Sequence, residues 1–297
     1  MRKWDGLEEV VAIADSGTFV GGARILGVSP SHISRTIAQL EERLGAQLFH
    51  RTTRKVTLTD TGRSVVEQSR RIIQEREDLF ALTAGMTEPQ GELRLTCSIT
   101  LGERFVAPLV RDFAQRHQKI SIHLDLTNRL IDLVGEGYDL AIRTGANADS
   151  RLTGRRIATR PVETCASPEY LAKAGSPTRI EDLSEHECLT GSSTEWHFLD
   201  QGQVRTIAPK GRWHCNSGIA IADAAVAGMG VCQLPIFYVG DHLAHRRLVP
   251  VLTAFRVNTE PVFALYPAKR HLLPRIRHLV DFLESELQSV LDAAGKQ

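Results

Sequence analysis

Residues 16–62 read SGTFVGGARILGVSPSHISRTIAQLEERLGAQLFHRTTRKVTLTDTG and contain the starts and stops of two consecutive helices. Thr18 can cap the first helix, and Ser29 can cap the second, in which Pro30 occupies a first-turn position where a missing N–H costs nothing. A glycine ends each helix. The apolar spacing predicts that the inward positions of the two helices are Val20, Ala23, Leu26, Ile33, Ile37, Leu40 and Leu44.

The open face of the second helix has the chemistry of a DNA-reading surface. Small hydroxyl, amide and guanidinium groups can contact base edges and phosphates. The short turn at residues 26–29 sets the angle between the two helices, as a helix-turn-helix requires. The residues of this helix that we expect to contact DNA are Ser29, Ser31, His32, Ser34, Arg35, Thr36 and Gln39.

A β-hairpin is predicted over residues 47–59, because two short alternating stretches flank a basic, threonine-rich tip. Arg51, Arg54 and Lys55 of this wing would lie over the DNA backbone or reach into the minor groove. Residues 43–63 contain five Lys or Arg residues and one acidic residue, although the whole chain carries a net charge of only +1. Such a local basic patch indicates that the N-terminal module binds the phosphate backbone of a nucleic acid and that the rest of the chain does not. The alternative is a three-helix interaction domain with a solvated charged face.

With caps, turn, wing and basic tip in this register, residues 16–62 resemble the N-terminal signature of the LysR-type transcriptional regulators nearly throughout. The resemblance implies a winged helix-turn-helix that binds double-stranded promoter DNA. Gly21 and Gly22 stand where small alanines are usual, which weakens the helix by up to about 1 kcal/mol per residue. His32 stands where a small apolar residue is common, and it bears on which base step is read rather than on the fold.

Length and composition suit two or three compact domains. The chain has 297 residues, of which 42% are hydrophobic and 24% are charged, as in globular proteins. No apolar stretch approaches the roughly 18 residues of a membrane helix, and the acidic N-terminus lacks the apolar core of a signal peptide. We therefore expect a cytoplasmic protein. Its five cysteines are widely spread without a C-x-x-C pair, which argues against a disulfide framework and a structural zinc site.

A long helix is predicted from Thr59 to about Met86, because this polar stretch has no Pro and has no Gly between Gly62 and Gly85. Apolar residues near a/d spacing form a stripe that a solitary rod cannot bury, so the stripe should pair with a second copy of the chain. The alternative is a helix packed on its own domain. The resemblance favours a dimerising linker helix, and residues 87–91 then form a hinge.

From Gly91 the pattern changes to alternating strands and helices, which predicts a mostly parallel sheet with helices on both faces. Strands are expected at residues 93–97, 120–126, 138–142, 230–234 and 262–266, and helices at 101–117, 131–134, 217–227 and 274–293. The phrases VGEGYDLAIRTG, CASPEYLAKAGSP and AAVAGMGVCQLP resemble the LysR regulatory domain, which folds as two α/β subdomains similar to periplasmic solute-binding proteins.

These patterns predict an N-terminal all-α winged helix-turn-helix with a long linker helix, followed by a C-terminal α/β domain of two subdomains of the periplasmic-binding-protein type. The expected boundaries are 1–60 for the DNA-binding domain, 61–90 for the linker helix and hinge, and 91–297 for the effector-binding domain. The resemblance places subdomain I at 91–162 plus 267–297, and subdomain II at 163–266.

A cleft for a small effector is expected beyond the carboxyl ends of the strands, where helix N-termini offer free N–H groups. Hydroxyls, an amide and a guanidinium there would suit a small carboxylate or another polar anion. For any one of these residues, capping or salt-bridging is an equal alternative. The candidate effector-binding residues are Ser98, Ile99, Thr100, Thr127, Asn128, Arg143, Asn216, Ser217 and Pro235.

Three other constellations carry weaker hypotheses. Residues 241–245 place an aspartate and two histidines at helical spacing, but a solvated turn is favoured over a metal site. His214 and Cys215 resemble a base and a nucleophile, yet neighbours on a strand face opposite sides. Cys215 or Cys232 could sense oxidants, but no closely spaced resolving cysteine accompanies them. We expect no catalytic set, no metal and no cofactor.

The leading hypothesis is thus a ligand-responsive regulator that acts as a homodimer or homotetramer. Its expected partners are double-stranded DNA, a small-molecule effector and RNA polymerase. An effector-independent repressor or architectural DNA binder is one alternative. An enzyme on a solute-binding-like scaffold is another, and it would lose turnover when His214 or Cys215 is changed.

Overall fold

The computed structural model describes residues 5–51, 56–83, 88–145, 149–193, 195–257, 259–268 and 273–294. The chain divides into two compact units, Met1–Met86 and Thr87–Gln297. The smaller unit contains the helix-turn-helix sequence, and the larger one contains the alternating strands and helices. Within the described ranges, no helix combines the length and apolar composition that a bilayer crossing needs.

The smaller unit consists of helices around one hairpin. Its elements are α1 (Leu7–Ser16), α2 (Phe19–Leu26), α3 (Pro30–Leu44), β1 (Phe49–Arg51), β2 (Val56–Leu58) and α4 (Asp60–Thr83). Thr18 Oγ1 accepts a hydrogen bond from the Gly21 N–H at the start of α2, and Ser29 Oγ accepts one from the His32 N–H at the start of α3. Gly45 ends α3 with a φ of 64°, a left-handed conformation that favours glycine.

One apolar core joins the helices of this unit to the hairpin. The fully buried side chains at its centre are Val10, Ile13, Ile33, Ile37 and Leu48. Helices α1 and α2 approach closely at Gly22, because a Cβ there would lie 2.9 Å from the Ile13 side chain. The glycine that replaces the usual alanine at this position therefore has a packing role.

Three side chains of this unit differ from the pattern that the sequence predicts. Val20 and Leu44, expected in the core, are 66% and 48% exposed. Thr36, expected on the open face, is 7% exposed, and its hydroxyl donates to the His32 carbonyl oxygen at 3.1 Å. These predictions are wrong because α2 is only two turns long, so Gly22 and Ala23 fill its inner face. A threonine can also lie against a core when its hydroxyl bonds to the preceding turn.

The larger unit alternates strands and helices. Its strands are β3 (Gly91–Cys97), β4 (Ile120–Leu126), β5 (Leu140–Thr144), β6 (Leu152–Arg160), β7 (Val162–Ala166), β8 (Cys188–Leu189), β9 (Trp196–Asp200), β10 (Gln203–Ile207), β11 (Val231–Pro235), β12 (Val249–Pro250) and β13 (Glu260–Pro267). Its helices are α5 (Ile99–Leu101), α6 (Ala107–Arg116), α7 (Pro168–Ala174), α8 (Gly218–Val226), α9 (Ile236–Ala244) and α10 (Pro274–Ala294).

These strands form two main sheets and a separate β9–β10 hairpin. The first sheet has the order β4-β3-β5-β13-β6, and the second has the order β12-β7-β11-β8. In the first sheet, β4, β3 and β5 are parallel to one another, and β13 is antiparallel to both of its neighbours, β5 and β6. In the second sheet, only β11 and β8 pair in parallel. The prediction of a mostly parallel sheet is therefore wrong for the unit as a whole. The reason is that the chain passes from the first sheet to the second between β6 and β7, and it returns to the first sheet as β13, which runs antiparallel to both β5 and β6.

Two helical predictions also change in detail. The helix expected over residues 101–117 begins at Ile99 and contains a π-turn at Gly102–Val106 between α5 and α6. The helix expected at residues 131–134 does not form, and a turn covers residues 133–137 instead. There the Asp132 carboxylate accepts a hydrogen bond from the Gly135 N–H at 3.0 Å, and such local bonds compete with helix formation.

A separate apolar core lies on each sheet of the larger unit. On the first sheet, α6 and α10 pack Phe113 and Leu279 against Leu93 and Ile142 of the strands. On the second sheet, α8 and α9 pack against strand residues that include Cys165 and Cys232. These two cores fix the ends of the strands, where the candidate effector residues lie.

The variant Gly62→Ala is expected to destabilise the smaller unit by about 1–3 kcal/mol. Gly62 lies in the first turn of α4, and a Cβ there would be 2.0 Å from the Leu48 carbonyl oxygen, which is backbone and cannot rotate away. Urea unfolding followed by circular dichroism measures the effect. Gly240→Ala in α9 is the matched control, since a Cβ there meets only Ile236 at 3.8 Å. Equal unfolding midpoints for both variants would contradict the packing of α4 on the hairpin.

Candidate functional site

The open face of α3 presents most of the side chains predicted to contact DNA. Ser31, His32 and Arg35 are exposed, and Ser34 and Gln39 are partly buried. His32 Nε2 lies 3.9 Å from Glu9 Oε1 of α1. The face therefore offers a guanidinium, an imidazole, hydroxyls and an amide, which are donors and acceptors suited to base edges.

Ser29 and Thr36 already have intramolecular partners. Ser29 Oγ caps α3 and lies 3.0 Å from Ser31 Oγ, and the Thr36 hydroxyl bonds to the turn before it. Both side chains thus stabilise α3 itself.

The wing hairpin follows α3 directly. Strands β1 and β2 pair antiparallel, with Phe49 opposite Leu58 and Arg51 opposite Val56. Glu41 Oε1 of α3 accepts hydrogen bonds from the Leu48 N–H at 2.8 Å and the Phe49 N–H at 3.3 Å, which ties the hairpin to α3. Arg54 and Lys55 lie outside the described residues, as does the side chain of Arg51.

Helix α4 exposes an apolar stripe, which consists of Ile72, Leu79 and Phe80. These side chains are 39%, 59% and 62% exposed, respectively. Ile72 also lines a groove of about 360 Å³, together with residues of α1 and α3 such as Leu44. Ser69 Oγ lies in the groove wall, buried and without a hydrogen-bond partner among the described residues.

Two ion pairs hold α4 against α1, and one of them lies on the same face of α4 as the stripe. Arg76 Nη1 lies 2.6 Å from Glu8 Oε1, and Arg70 pairs with Asp15. These contacts fix the direction of α4, and with it the direction in which the stripe faces.

In the larger unit, Asn128 connects three of the segments expected to form the effector cleft. Its Oδ1 accepts a hydrogen bond from the Ile99 N–H at 3.1 Å, and its Nδ2 donates to the Asn216 carbonyl oxygen at 2.5 Å. The ends of β3 and β4 and the loop before α8 therefore meet at one side chain. A polar ligand could use the same donor and the same acceptor.

The other expected effector residues are less available. Ser217 Oγ caps α8 by accepting from the Ala220 N–H, and Thr127 Oγ1 accepts from the Arg129 N–H. Thr100 is buried at 9% exposure. Pro235 is buried at the end of β11, opposite Val162. Ser98 is partly buried and precedes α5.

Phe237 and Tyr238, which are not among the residues predicted for the cleft, lie beside the start of α8. The Tyr238 ring covers Gly218, where a Cβ would lie 2.4 Å from the ring. Phe237 packs edge-to-face on Phe105 at 5.3 Å between centroids, and Arg104 Nη1 donates to the Phe237 carbonyl oxygen at 2.5 Å. In the sequence, the only pattern that indicates this pair is two adjacent aromatic residues in the first turn of a helix that directly follows a strand.

Comparison with known proteins identifies both units. The chain matches the family described as "Bacterial regulatory helix-turn-helix protein, lysR family" over residues 4–63, and the family described as "LysR substrate binding domain" over residues 87–288. The second match alone covers more than half of the chain.

The chain belongs to the LysR family. It is therefore a DNA-binding transcriptional regulator with a substrate-binding domain.

Individual relatives match nearly the full length of this LysR-type regulator. The transcriptional regulator CrgA of Neisseria meningitidis serogroup C is 34% identical, over 93% of this chain and 94% of CrgA. The transcriptional repressor PA14_22550 of Pseudomonas aeruginosa is 32% identical, over 95% of this chain and 92% of the repressor. A solved structure of CrgA from Neisseria meningitidis has a TM-score of 0.54 at 31% identity, and covers 97% of this chain and 99% of that one. These relatives are transcriptional regulators.

The cysteines of this LysR-type regulator are free thiols. Cys165 and Cys232 are far apart in sequence, but strand pairing places them directly opposite each other, with 3.6 Å between the sulfur atoms. Both are fully buried, and the contact with Cys232 together with burial raises the pKa of Cys165. Burial also raises the pKa of Cys97 and Cys188 to about 12. Such thiols are poor nucleophiles.

The remaining constellations form ordinary contacts. Asp241 pairs with His245 and Arg247 on the surface of α9. His214 Nδ1 lies 3.1 Å from Thr190 Oγ1. Among the described residues, no group of three or more His, Cys, Asp or Glu side chains is arranged to hold a metal ion.

Proposed function

We propose that this LysR-type regulator binds a pseudo-palindromic DNA site as a homodimer and that a small effector in its larger unit modulates the binding. The observation that carries the proposal is the open face of α3, which is held in place by a capped N-terminus and a buried stripe. A helix of this kind fits the major groove with its polar face toward the bases. Its action on DNA implies a cytoplasmic protein.

The DNA contacts divide into two classes. Arg35 and Gln39, with Ser31, His32 and Ser34, would read base edges, and a bidentate arginine on guanine is the strongest contact of this kind. The wing residues Arg51, Arg54 and Lys55 would bind phosphates or the minor groove. Ser29 and Thr36 stabilise α3 through their intramolecular hydrogen bonds. Any DNA contact that they make would be additional to this structural role.

A second copy of the chain is the proposed occupant of the groove beside α4. Two copies of the apolar stripe, on helices of 24 residues each, would bury Leu79 and Phe80 in the manner of a coiled coil. The domain roles are then 1–60 for DNA, 61–90 for dimerisation and 91–297 for the effector. The expected boundary between the subdomains at 266/267 is corrected, because β13 (Glu260–Pro267) pairs with β5 and β6 and so belongs with the sheet of subdomain I. Dimers would place two copies of α3 in successive major grooves, and tetramers would bridge two such sites.

The effector would bind where Asn128 joins the ends of β3 and β4 to the loop before α8. A ligand that takes over the hydrogen bonds of Asn128 would change the contact between the two subdomains, and such a change can be transmitted to subunit packing. The result would be an altered DNA bend and altered access of RNA polymerase to the promoter. No catalytic step is part of this proposal.

Salt-dependent DNA binding tests the proposal directly. Fluorescence anisotropy is measured for the intact chain on a duplex from the region upstream of its own gene, between 50 and 200 mM KCl. A dimer that makes 6–10 phosphate contacts is expected to lose about 10³–10⁵-fold in affinity over this range. A scrambled duplex of equal length should bind about 10³-fold more weakly or worse at physiological salt. Equal affinity for both duplexes, or no dependence on salt, would contradict the proposal.

A further inference from the structure

Arg143 lies at the edge of the sheet where the proposed effector cleft is located. In the parallel strands β4, β3 and β5, Leu126 pairs with Cys97, and Cys97 pairs with Ile142. The next residue of each strand is therefore at the same level, and these residues are Thr127, Ser98 and Arg143. The backbone of Arg143 is thus one strand away from Ser98 and two from Thr127.

The hydrogen-bond partners of Arg143 are neutral groups. Its Nη2 donates to Thr96 Oγ1 at 2.9 Å, and its Nη1 donates to the Ile142 carbonyl oxygen at 3.2 Å. The side chain is partly buried, and this burial lowers the pKa of Arg143. An arginine nevertheless stays protonated in proteins, so a positive charge lies beneath the surface here.

Two titratable groups act on this charge, and both are neutral near pH 7. Burial raises the pKa of the Cys97 thiol to about 12, although Arg143 opposes the shift. Burial also raises the pKa of Tyr138, and the Tyr138 hydroxyl donates to Asp125 Oδ2 at 2.7 Å, which raises the pKa further. Neither group can therefore supply a negative charge to Arg143.

Arg160 of the same unit, in contrast, has a carboxylate partner. Arg160 Nε lies 2.6 Å from Glu260 Oε2, and its Nη2 donates to Thr144 Oγ1 at 3.1 Å. Every Asp and Glu of the chain falls within the described residues, and in this part of the chain none forms an ion pair with Arg143. Arg143 and Arg160 thus share a threonine partner, and they differ in the counter-ion.

We infer that Arg143 is the receptor for the charged group of the effector, and that the effector is a small carboxylate. A buried cation without a counter-ion costs free energy in the empty protein, and an arriving anion removes that cost. The planar fork of a guanidinium matches the two oxygens of a carboxylate. The inference rests on the proposed function, because it names the ligand class of the cleft beside Asn128.

A comparison of two glutamine variants tests whether Arg143 lacks a counter-ion. Glutamine retains a donor for the threonine hydroxyl and removes the charge, so Arg143→Gln and Arg160→Gln are matched. Urea unfolding of the intact, ligand-free chain is expected to give an unchanged or higher midpoint for Arg143→Gln. The midpoint for Arg160→Gln should be lower, because Glu260 loses its partner. A loss for Arg143→Gln as large as that for Arg160→Gln would overturn the inference, since Arg143 would then be a structural residue.

Thermal unfolding with defined probes tests the ligand class. The probes are acetate, pyruvate and benzoate at matched ionic strength, and the neutral controls are acetamide and benzamide. At least one carboxylate is expected to raise the Tm of the intact chain by about 3 °C or more at ten times its Kd. The amides should not do so. Arg143→Gln should abolish the shift, and Arg160→Gln should retain it.

Two outcomes of this titration would overturn the inference. One is that no carboxylate raises the Tm of the unmodified chain, and the other is that a carboxylate raises the Tm of Arg143→Gln equally. Neither outcome touches the salt-dependent DNA binding, so a failure of this inference is distinguishable from a failure of the proposed function.

Discussion

The double variant Leu79→Glu/Phe80→Glu is expected to convert the homodimer into monomers and to weaken specific DNA binding more than 100-fold. The two side chains are 59% and 62% exposed on α4, and we propose that they are buried in the dimer. Burial of one large apolar side chain contributes about 1.5–3 kcal/mol, so two substitutions in each of two chains remove about 6–12 kcal/mol. Four carboxylates would also meet in the interface. Sedimentation velocity at micromolar protein measures the change in mass.

Glu67→Lys is the matched control for this variant. It also changes the charge of each chain by two units, and Glu67 is exposed on the side of α4 away from both Leu79 and Phe80. The control should remain dimeric. A double variant that sediments as a dimer would show that the apolar stripe does not mediate assembly.

Arg35→Ala is expected to weaken binding to the specific duplex by about 30-fold to 10⁴-fold. A good bidentate base contact contributes about 1–3 kcal/mol, and a dimer makes it twice. Arg35 is exposed on α3, so its removal should leave the Tm unchanged. Anisotropy on the specific and scrambled duplexes measures the effect, which should be much larger on the specific one.

Two further variants separate base reading from charge. Arg35→Lys keeps the charge but loses the planar fork, so its affinity for the specific duplex should fall between the unmodified chain and Arg35→Ala. Arg111→Ala in α6 removes an arginine paired with its neighbour Asp112, and it should bind as the unmodified chain does. Equal losses on specific and scrambled DNA would mean that Arg35 contacts only phosphate.

The sequence predicts the smaller unit well where local chemistry sets the structure. Thr18, Ser29 and Gly45 act through their own caps and dihedral angles, and the helix ends lie where these residues indicate. Val20 and Leu44 are misplaced because helical spacing alone does not say how wide the buried face is. That width depends on how closely α1 approaches α2, which Gly22 permits.

The larger unit is less predictable because its decisive contacts are far apart in sequence. The parallel strands β3, β4 and β5 follow from local alternation. The partners of β13 are β5 and β6, each about 100 residues or more earlier, and no local pattern records these pairings. The same holds for the sulfur contact between Cys165 and Cys232, and for the hydrogen bond from Asn128 to Asn216. The sequence offered Arg143 as a candidate, but the lack of a carboxylate partner could be recognised only in the fold.

Selection of binding sites from a pool of randomised duplex DNA tests the central claim most directly. The intact chain is incubated with the pool, bound DNA is recovered and sequenced, and Arg35→Ala is carried through in parallel. The account predicts an enriched motif of two inverted half-sites, with centres about one helical turn apart or a multiple of it, which is lost with Arg35→Ala. Recovery of no motif, or of the same motif with both proteins, would contradict it.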